Sequence, residues 1–335
     1  MEMGRYQAQT VGLVPLSGKT MVDTKIRRII AAALAEDIGK GDITTMATVG
    51  PKKKGGAVAV AKQDFIVAGL EIFEFAFKCI DKNIKVNKFT TDGNPVKEGD
   101  ILAEVAGRLS VILQAERTAL NFLQRMCGIA TQTARYVRAV QGTGVQILDT
   151  RKTVPGLRLL DKMAVRLGGG MNHRFGLFDA VLIKDNHIEA AGGITAAVAA
   201  QKKYLKKKLK IEVEVKNISE VKEALACGVD IIMLDNMTNA AMKKAVALVQ
   251  GRALTEASGN VNLRRIVSIA KTGVDFISIG ELTHSVSAAD ISLLVENDGF
   301  QAGARRLVMP GSVLSAPRLP VRRPLKLQNI RSYRL

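Results

Sequence analysis

The second half of the chain repeats one pattern, a short apolar run that ends at a polar residue. Six such runs follow one another from Val145, and most are separated by segments whose apolar residues have helical spacing. This alternation predicts repeated β-α units. Aromatic residues make up only 4% of the chain, which suits an aliphatic interior of helices and parallel strands. The runs are Val145–Leu148, Ala180–Ile183, Ile211–Val215, Ile231–Leu234, Ala253–Ala257 and Phe276–Ile279.

Six runs are too few for an eight-stranded barrel, so the pattern indicates an α/β barrel with fewer strands. In such a barrel the C-terminal strand ends meet at one mouth, where active sites lie. An open, doubly wound sheet would not gather six ends around one point. We therefore expect one shared cavity to contain the residues at or just past the run ends, Asp149, Lys184, Glu214, Asp235, Ser258 and Gly280.

The first part of the chain mixes helical and alternating patterns. Helices are predicted over Asp23 to Asp37 and Glu71 to Ile80, and strands within Ala57 to Leu70. Two further strands flank a turn, and a long helical stretch from Arg108 follows with a predicted break near Gly128. We expect four segments: a lead-in (1–22), an N-terminal α/β domain (23–127), a barrel domain (128–298) and a basic, Pro-containing tail (299–335).

The formal charge of +18 is distributed unevenly along the chain. Gly299 to Leu335 contains eight Lys or Arg residues and no acidic residue, and Gln201 to Lys210 forms a second basic cluster. Such charge suits nucleic acid, a polyanionic small substrate or a solvated surface. The chain has no basic motif interleaved with aromatic residues, so we expect no nucleic-acid partner.

Three features bear on the expected location. No apolar run reaches the roughly 18 residues that a membrane span requires, so no membrane association is expected. Met1 to Thr20 lacks the apolar core of a secretion signal. The three cysteines are widely spaced, which favours reduced thiols. Together these features predict a cytoplasmic protein.

The stretch from Asp149 to His187 is dense in cations. It supplies Arg151, Lys152, His173, Arg174 and Lys184, which we call the cationic wall. Arginine binds carboxylates through two parallel hydrogen bonds, and lysine offers a compact charge suited to phosphate oxygens. The alternative is a set of unrelated surface charges. Because these residues lie at or near strand ends, we expect a ligand with several negative charges.

Two carboxylates face this wall in the predicted barrel. Glu214 and Asp235 each end an apolar run. Such groups can hold Mg²⁺ or face a developing positive charge. Glu212 lies on the same strand face, but Glu214 is nearer the strand end. The alternative is a simple ion pair of Glu214 with Lys184 or Lys216.

Two late loops are predicted to bind phosphate. They are Ser258-Gly259-Asn260 and Ser278-Ile279-Gly280, which follow the last two runs. Loops at this position in barrels often bind phosphate through backbone N–H groups. Either loop alone is a weak signal, but two in succession are more specific.

These motifs together resemble the quinolinate phosphoribosyltransferase family (decarboxylating; nicotinate-nucleotide pyrophosphorylase). The resemblance spans about residues 24–298 and rests on DTRKTVPGLR, GGGMNHR, IKDNH, EVEV, MLDN, ASGN and SIG, with EDIGKGDITT and AERTALN upstream. It implies an N-terminal α/β sandwich domain and an incomplete, about seven-stranded α/β barrel. It also implies phosphoribosyl transfer from phosphoribosyl pyrophosphate to quinolinate with decarboxylation. The products are nicotinate mononucleotide, CO₂ and pyrophosphate, in NAD biosynthesis, with Mg²⁺ as cofactor.

The resemblance also implies residue roles. Arg151, His173 and Arg174 would bind the quinolinate carboxylates, with Lys152 and Lys184 beside them and Thr150 among the substrate contacts. Catalytic roles would fall to Lys152, Lys184, Glu214 and Asp235, the last two also meeting the ribose hydroxyls and the metal. The loops of Ser258 and Ser278 would hold the 5-phosphate. Arg117 would enter from a neighbouring subunit of a homodimer or hexamer.

Two enzymatic alternatives remain open at this point. A paralogous phosphoribosyltransferase-like protein associated with molybdate transport has a similar pattern, although the intact KDNH and DTRKT motifs favour the quinolinate enzyme. A Schiff-base aldolase barrel that uses Lys184 would need a desolvated lysine with a lowered pKa.

Overall fold

The computed structural model describes residues 24–205 and 209–296. The predicted lead-in 1–22, the tail 299–335 and residues 206–208 of the basic cluster lie outside the described residues. The elements up to the long helix are α1 (Thr24–Ile38), α2 (Ile43–Thr48), β1 (Lys54–Ala61), β2 (Phe65–Ile66), α3 (Leu70–Ile80), β3 (Lys85–Lys88), β4 (Pro95–Val96), β5 (Ile101–Arg108) and α4 (Leu109–Ala139). The later elements are β6 (Gln146–Leu148), α5 (Arg158–Leu167), β7 (Val181–Ile183), α6 (Asp185–Ala191), α7 (Ile194–Tyr204), β8 (Ile211–Val215), α8 (Ile218–Ala226), β9 (Ile231–Asp235), α9 (Asn239–Val249), β10 (Leu254–Ser258), α10 (Ile266–Ala270), β11 (Phe276–Ser278), α11 (Glu281–His284) and β12 (Ile291–Glu296).

The N-terminal part is built on a four-stranded antiparallel sheet in the order β12-β1-β5-β3. Helices α1, α3 and α4 pack together beside it, and their buried side chains include Ile30, Phe73 and Leu123. Strand β12 comes from the end of the predicted barrel segment, yet it pairs with β1 from Gly56↔Glu296 to Ala61↔Ile291. The segment boundaries 23–127 and 128–298 stay predictions, but the chain returns to its first sheet after the last barrel strand.

All six apolar runs form parallel strands, in the order β6-β11-β10-β9-β8-β7. Among residues 24–205 and 209–296, this sheet has six strands rather than about seven. At the seventh position there is a single parallel bridge between Leu148 and Met171. Met171 donates its backbone N–H to Ile147 O at 2.8 Å and accepts from Asp149 N at 3.1 Å. One residue cannot form a strand, so the barrel is incomplete.

The long helix α4 runs without interruption through Gly128, so the predicted break there is wrong. Gly128 is required by packing rather than by helix termination. A Cβ at this position would lie 2.2 Å from Ser287 O and 3.0 Å from Val286 Cγ1. The segment that leads to β12 therefore packs directly against the backbone of α4. The predicted boundary between the N-terminal α/β domain and the barrel domain falls inside this continuous helix.

Replacing Gly128 by Ala is expected to destabilise the protein by about 2 kcal/mol, because overpacking outweighs the roughly 1 kcal/mol gain in helix propensity. The measurement is urea unfolding of the variant and of wild type. The matched control is Gly50→Ala, because a Cβ at Gly50 meets no atom within 4 Å. A Gly128→Ala variant as stable as that control would contradict the close approach.

The outer helices of the barrel cover the sheet with apolar faces. Val198 of α7, Val221 of α8 and Met242 of α9 are each buried. The start of the basic cluster, Lys202 and Lys203, lies at the end of α7 and is exposed. No helix in the described part of the chain combines the length and apolarity that crossing a membrane requires.

Candidate functional site

The C-terminal ends of the six parallel strands lie side by side. Strand register pairs Ser258 with Asp235 and Ser278 with Leu148, and Val215 of β8 pairs with Leu234 of β9. The polar residues at the run ends therefore share one edge of the barrel. This confirms the sequence expectation of a common mouth.

Asp149 is not itself exposed at the mouth but organises it from below. Its carboxylate is fully buried and pairs with Lys162 Nζ of α5 at 2.5 Å. It also accepts from His173 N at 2.9 Å and from Asn172 Nδ2 at 2.6 Å. Lys162 in turn donates to His173 O at 3.0 Å. One buried ion pair thus shapes the loop that carries His173 and Arg174.

Lys162 was not predicted as a residue of this site, although a signal for it exists in the sequence. It lies on the buried stripe of α5, between Leu160 and Ala164. Lysine is almost never fully buried without a partner. A lysine within an amphipathic helix's apolar stripe therefore predicts a buried acidic partner nearby.

A second ion pair ties the long helix to the barrel. Arg125 of α4 forms two parallel hydrogen bonds to the buried carboxylate of Asp161, at 2.9 and 2.8 Å. The same guanidinium donates to Thr283 O at 3.1 Å. Asp161 and Lys162 are adjacent in α5. At this one point the helix is therefore joined to α4 through Arg125 and to the end of β6 through Asp149.

Two guanidinium groups of the cationic wall lie close together at the mouth. Burial lowers the pKa of Arg174, and repulsion by Arg151 lowers it further. The Nε atoms of Arg151 and Arg174 are buried and have no hydrogen-bond partner among the described residues. Arg158 supports this region by donating to Arg151 O and Phe175 O. Two cationic guanidiniums side by side suit an anion with planar carboxylates.

His173 lies between the cationic wall and two glutamates in the barrel interior. Its Nδ1 accepts the Arg174 backbone N–H at 2.8 Å. Its Nε2 lies 3.1 Å from Glu212 Oε2 and 3.6 Å from Glu256 Oε2. In this arrangement both ring nitrogens face groups of the same chain, so the direct contact of His173 with a substrate carboxylate stays a prediction.

Glu212 and Glu256 were not predicted as site residues. The strand pattern does place them toward the site, since Glu212 shares a strand face with Glu214 and Glu256 shares one with Ser258. The prediction favoured the residues nearest the strand ends. Side chains two positions earlier on the same strands form the layer beneath, and nothing in the local pattern distinguishes a buried carboxylate there from an exposed one.

On the opposite side of the mouth, Glu214 pairs with Lys184 at 3.3 Å, as the ion-pair alternative expected. Lys216 pairs instead with Asp185, at 3.2 Å. Burial raises the pKa of Glu214, Lys184 lowers it, and the negative charge of Asp235 raises it again. Glu214 and Asp235 therefore influence each other electrostatically from neighbouring strands. Hard oxygen donors at two neighbouring strand ends suit a Mg²⁺ ion, which is commonly bound by one or two carboxylates with substrate phosphates.

The loop after β10 interlocks with the loop after β9. Gly259 has φ +88°, and a Cβ on it would lie 2.2 Å from Asn236 Oδ1, so glycine is required for two reasons. Asn260, at φ 49°, donates from Nδ2 to Asn236 Oδ1 at 3.0 Å. Ser258 O accepts from Asn236 N at 2.9 Å. The predicted phosphate loop at Ser258 is thus held by backbone and side-chain contacts beside Asp235.

The loop after β11 contacts the cationic wall. Ser278 and Ile279 are buried, and a Cβ on Gly280 would lie 2.9 Å from Lys152 Cδ. Thr283 Oγ1 donates to Lys152 O at 2.8 Å. Thr150 Oγ1 accepts from Lys152 N at 3.0 Å. The structure therefore brings the second predicted phosphate loop next to Lys152 and Thr150.

Arg117 is the predicted site residue that the structure does not bring to this mouth. It is exposed on α4, and it forms no hydrogen bond or ion pair with the other predicted site residues in the described ranges. Its entry into the site of a neighbouring subunit therefore stays a prediction.

The two family models that match the chain are the quinolinate phosphoribosyl transferase N-terminal domain, over residues 42–127, and C-terminal domain, over residues 129–294. A relative from Arabidopsis thaliana, named nicotinate-nucleotide pyrophosphorylase (carboxylating), chloroplastic, is 46% identical over 327 residues, 91% of this chain and 93% of that protein. A relative from Bacillus subtilis (strain 168), named probable nicotinate-nucleotide pyrophosphorylase (carboxylating), is 40% identical over 269 residues, 80% of this chain and 93% of that protein. The solved structure of nicotinate-nucleotide pyrophosphorylase from Francisella tularensis has a TM-score of 0.78 and 43% identity, covering 81% of this chain and 96% of that chain.

The relatives correct one expectation. The sequence features predicted a cytoplasmic protein, but the name of the Arabidopsis thaliana relative places that protein in the chloroplast. A chain of this fold and sequence pattern therefore occurs inside an organelle. Reduced cysteines and the lack of a long apolar run do not distinguish the two locations.

The matched ranges contain the cationic wall, the two carboxylates and both late loops. The parallel sheet, the separate antiparallel sheet and the residues at the strand ends agree with the expected architecture. Relatives with at least 40% identity extend over most of the chain. The chain belongs to the quinolinate phosphoribosyltransferase family.

Proposed function

We propose that this chain is an enzyme that transfers phosphoribosyl from phosphoribosyl pyrophosphate to quinolinate with decarboxylation, in NAD biosynthesis. The products are nicotinate mononucleotide, CO₂ and pyrophosphate. The observation that carries the proposal is the pair of neighbouring guanidiniums of Arg151 and Arg174, whose positive charges repel each other. A dicarboxylate bound by both guanidiniums would neutralise the two charges and relieve the repulsion.

The cationic wall and the carboxylates divide the chemistry between them. Arg151 and Arg174 bind the acceptor's carboxylates, while Lys152 and Lys184 neutralise the remaining negative charge of the two substrates. Glu214 and Asp235 face the ribose, where positive charge develops as the bond to pyrophosphate breaks. The loops of Ser258 and Ser278 hold the 5-phosphate through backbone N–H groups.

No covalent nucleophile is needed for either step. Once the ring nitrogen carries the ribosyl group it is cationic, and its charge stabilises the electron pair that departing CO₂ leaves on the neighbouring carbon. A proton from solvent then binds to that carbon and gives nicotinate mononucleotide. The residues of the chain therefore position and neutralise the reactants. Glu214 and Asp235 would hold the Mg²⁺ ion, which when bound would supply positive charge to the pyrophosphate of the donor.

A Schiff-base role for Lys184 fits the geometry less well. Its side chain is 48% exposed and pairs with Glu214 at 3.3 Å, so it is not desolvated. A Schiff-base lysine must be neutral to attack a carbonyl, and that requires desolvation.

We propose that the active enzyme is a homodimer or a hexamer of such dimers, with Arg117 of one subunit entering the site of its neighbour. The exposed position of Arg117 on α4, without a contact to the other predicted site residues in the described ranges, supports this arrangement. An assembly with two-fold symmetry would place two such arginines at two equivalent sites.

An activity assay tests the proposed reaction. The protein is incubated with Mg²⁺, phosphoribosyl pyrophosphate and either quinolinate or nicotinate, and nicotinate mononucleotide and released CO₂ are quantified. We expect product only with quinolinate, and its formation should stop when Mg²⁺ is chelated. Turnover of nicotinate with no reaction of quinolinate would overturn the assignment and favour a different acceptor.

A further inference from the structure

Three titratable side chains meet in the barrel interior beneath the mouth. His173, Glu212 and Glu256, which we call the buried triad, have side chains that are 11%, 6% and 1% exposed. Glu212 and Glu256 each lie two residues before a predicted site residue on the same strand, about 7 Å deeper. No step of the proposed reaction uses either glutamate. Burying two carboxylates side by side is costly, so their presence requires an explanation.

The hydrogen bond at Nδ1 determines what His173 can do. The Arg174 backbone N–H points at Nδ1, so that nitrogen is an acceptor and the ring proton is on Nε2. The Nε2–H faces Glu212 Oε2 at 3.1 Å and donates to it, while Glu256 Oε2 lies at 3.6 Å, beyond hydrogen-bond distance. A nitrogen that carries a proton has no lone pair for a metal. The triad's arrangement therefore favours a hydrogen-bonded network over a metal site.

The charges of the triad are coupled to the cationic wall. Burial disfavours a charged His173, while Glu256 and Glu212 favour it and raise its pKa. A second ring proton would have to lie on Nδ1, where the Arg174 N–H already points, so this hydrogen bond keeps the ring proton on Nε2. Burial, together with repulsion from Glu212, raises the pKa of Glu256 to about 8. Glu212 also attracts the Arg174 guanidinium. At neutral pH, Glu256 therefore holds a proton, and Glu212 is the carboxylate that attracts both His173 and Arg174.

We propose that Glu212 and Glu256 are positioning residues that hold the His173 ring, and through it the backbone of Arg174, so that the Arg151 and Arg174 guanidiniums are ordered for the acceptor's carboxylates. This inference rests on the proposed function. Glu212 is the common acceptor, for His173 Nε2–H and for the Glu256 carboxyl proton. Glu256 acts as a neutral donor to Glu212, so the buried triad has one negative charge rather than two.

The surroundings of Glu256 support a neutral carboxyl at that position. Strand β8 contributes Glu212, β11 contributes the Ser278 hydroxyl and β9 contributes Met233, the register partner of Glu256. The loop before β7 contributes His173, behind which Lys162 is already paired with Asp149. A second full negative charge at Glu256 would attract His173 deeper into the barrel interior and away from Arg174.

The two glutamates should respond differently to the same isosteric change. Glu256→Gln replaces a neutral acid with a neutral amide that can still donate to Glu212, so activity at pH 7 should stay within about twofold of wild type. Glu212→Gln removes the charge that His173 and Arg174 face. We expect the KM for quinolinate to rise about tenfold or more, with the KM for phosphoribosyl pyrophosphate changed by less than about twofold.

The pH profile gives an independent measurement. In wild type, quinolinate KM should rise above about pH 8, as Glu256 loses its proton. In Glu256→Gln this rise should be absent, because the amide does not titrate. Glu98→Gln, at an exposed turn before β5 of the antiparallel sheet, is the matched control and should keep the wild-type profile.

The positioning role and the proposed function are tested by different measurements. Wild-type turnover of quinolinate establishes the function, and variants are compared only with that reference. Equal quinolinate KM values for Glu212→Gln and wild type, or the same pH profile for Glu256→Gln and wild type, would overturn the positioning role. If Glu212→Gln does not fold, the Glu256→Gln profile still decides. Titration with ZnCl₂ that finds one tightly bound ion in wild type and none in Glu256→Gln would also overturn it, in favour of a metal site.

Discussion

Replacing Lys162 by Met is expected to destabilise the protein by about 3–5 kcal/mol, the usual cost of leaving one member of a buried ion pair without its partner. Lys162 and Asp149 are both fully buried and lie 2.5 Å apart. Without the ammonium group, the Asp149 carboxylate remains in a low-dielectric interior. Because Asp149 also holds His173 N, the loop at the mouth should loosen with it.

The measurement is the urea midpoint of unfolding, with activity in the folded range. The matched control is the double variant Asp149→Asn/Lys162→Met, which has no buried charge but keeps an acceptor for His173 N. We expect the double variant to recover a large part of the lost stability, since neutralising both partners removes the desolvation penalty. A double variant that is less stable than Lys162→Met would show that the ion pair is not what stabilises this loop.

Mixing two inactive variants is expected to restore activity. Arg117→Ala and Lys152→Ala should each lower kcat/KM about a hundredfold or more, because each removes a charged contact to an anionic substrate. In a mixed dimer, one site would combine the intact Lys152 of one subunit with the intact Arg117 of the other. Random exchange would then give up to about a quarter of wild-type activity, since half of the dimers have one complete site.

The experiment requires proof of exchange. Subunits are mixed with and without a brief denaturation step, and a size tag on one variant shows the hybrid by native gel or mass spectrometry. Mixing Lys152→Ala with Lys184→Ala is the negative control, because both lysines belong to the same barrel mouth and a hybrid of these two variants has no complete site. Hybrids that form but remain inactive in the Arg117 and Lys152 mixture would contradict a shared site.

Much of the fold follows from local pattern. Each of the six apolar runs is short, aliphatic and bounded by polar residues, which is sufficient to define a buried parallel strand without knowledge of its neighbours. The predicted break at Gly128 was wrong for a complementary reason. A glycine inside a helical pattern predicts the end of a helix when only its sequence neighbours are considered. At position 128 the glycine is required instead by the close approach of Ser287, which is remote in sequence.

The sequence by itself determined which residues would stand at the strand ends, because parallel strands place their C-terminal ends at one edge whatever the rest of the chain does. Only the tertiary structure decided how those residues are held. Lys162 beneath Asp149, Glu212 and Glu256 beneath His173, and the return of β12 to the first sheet depend on contacts between distant segments. Such contacts leave little trace in local periodicity, since burial of a charged group is decided by the partner that neutralises it.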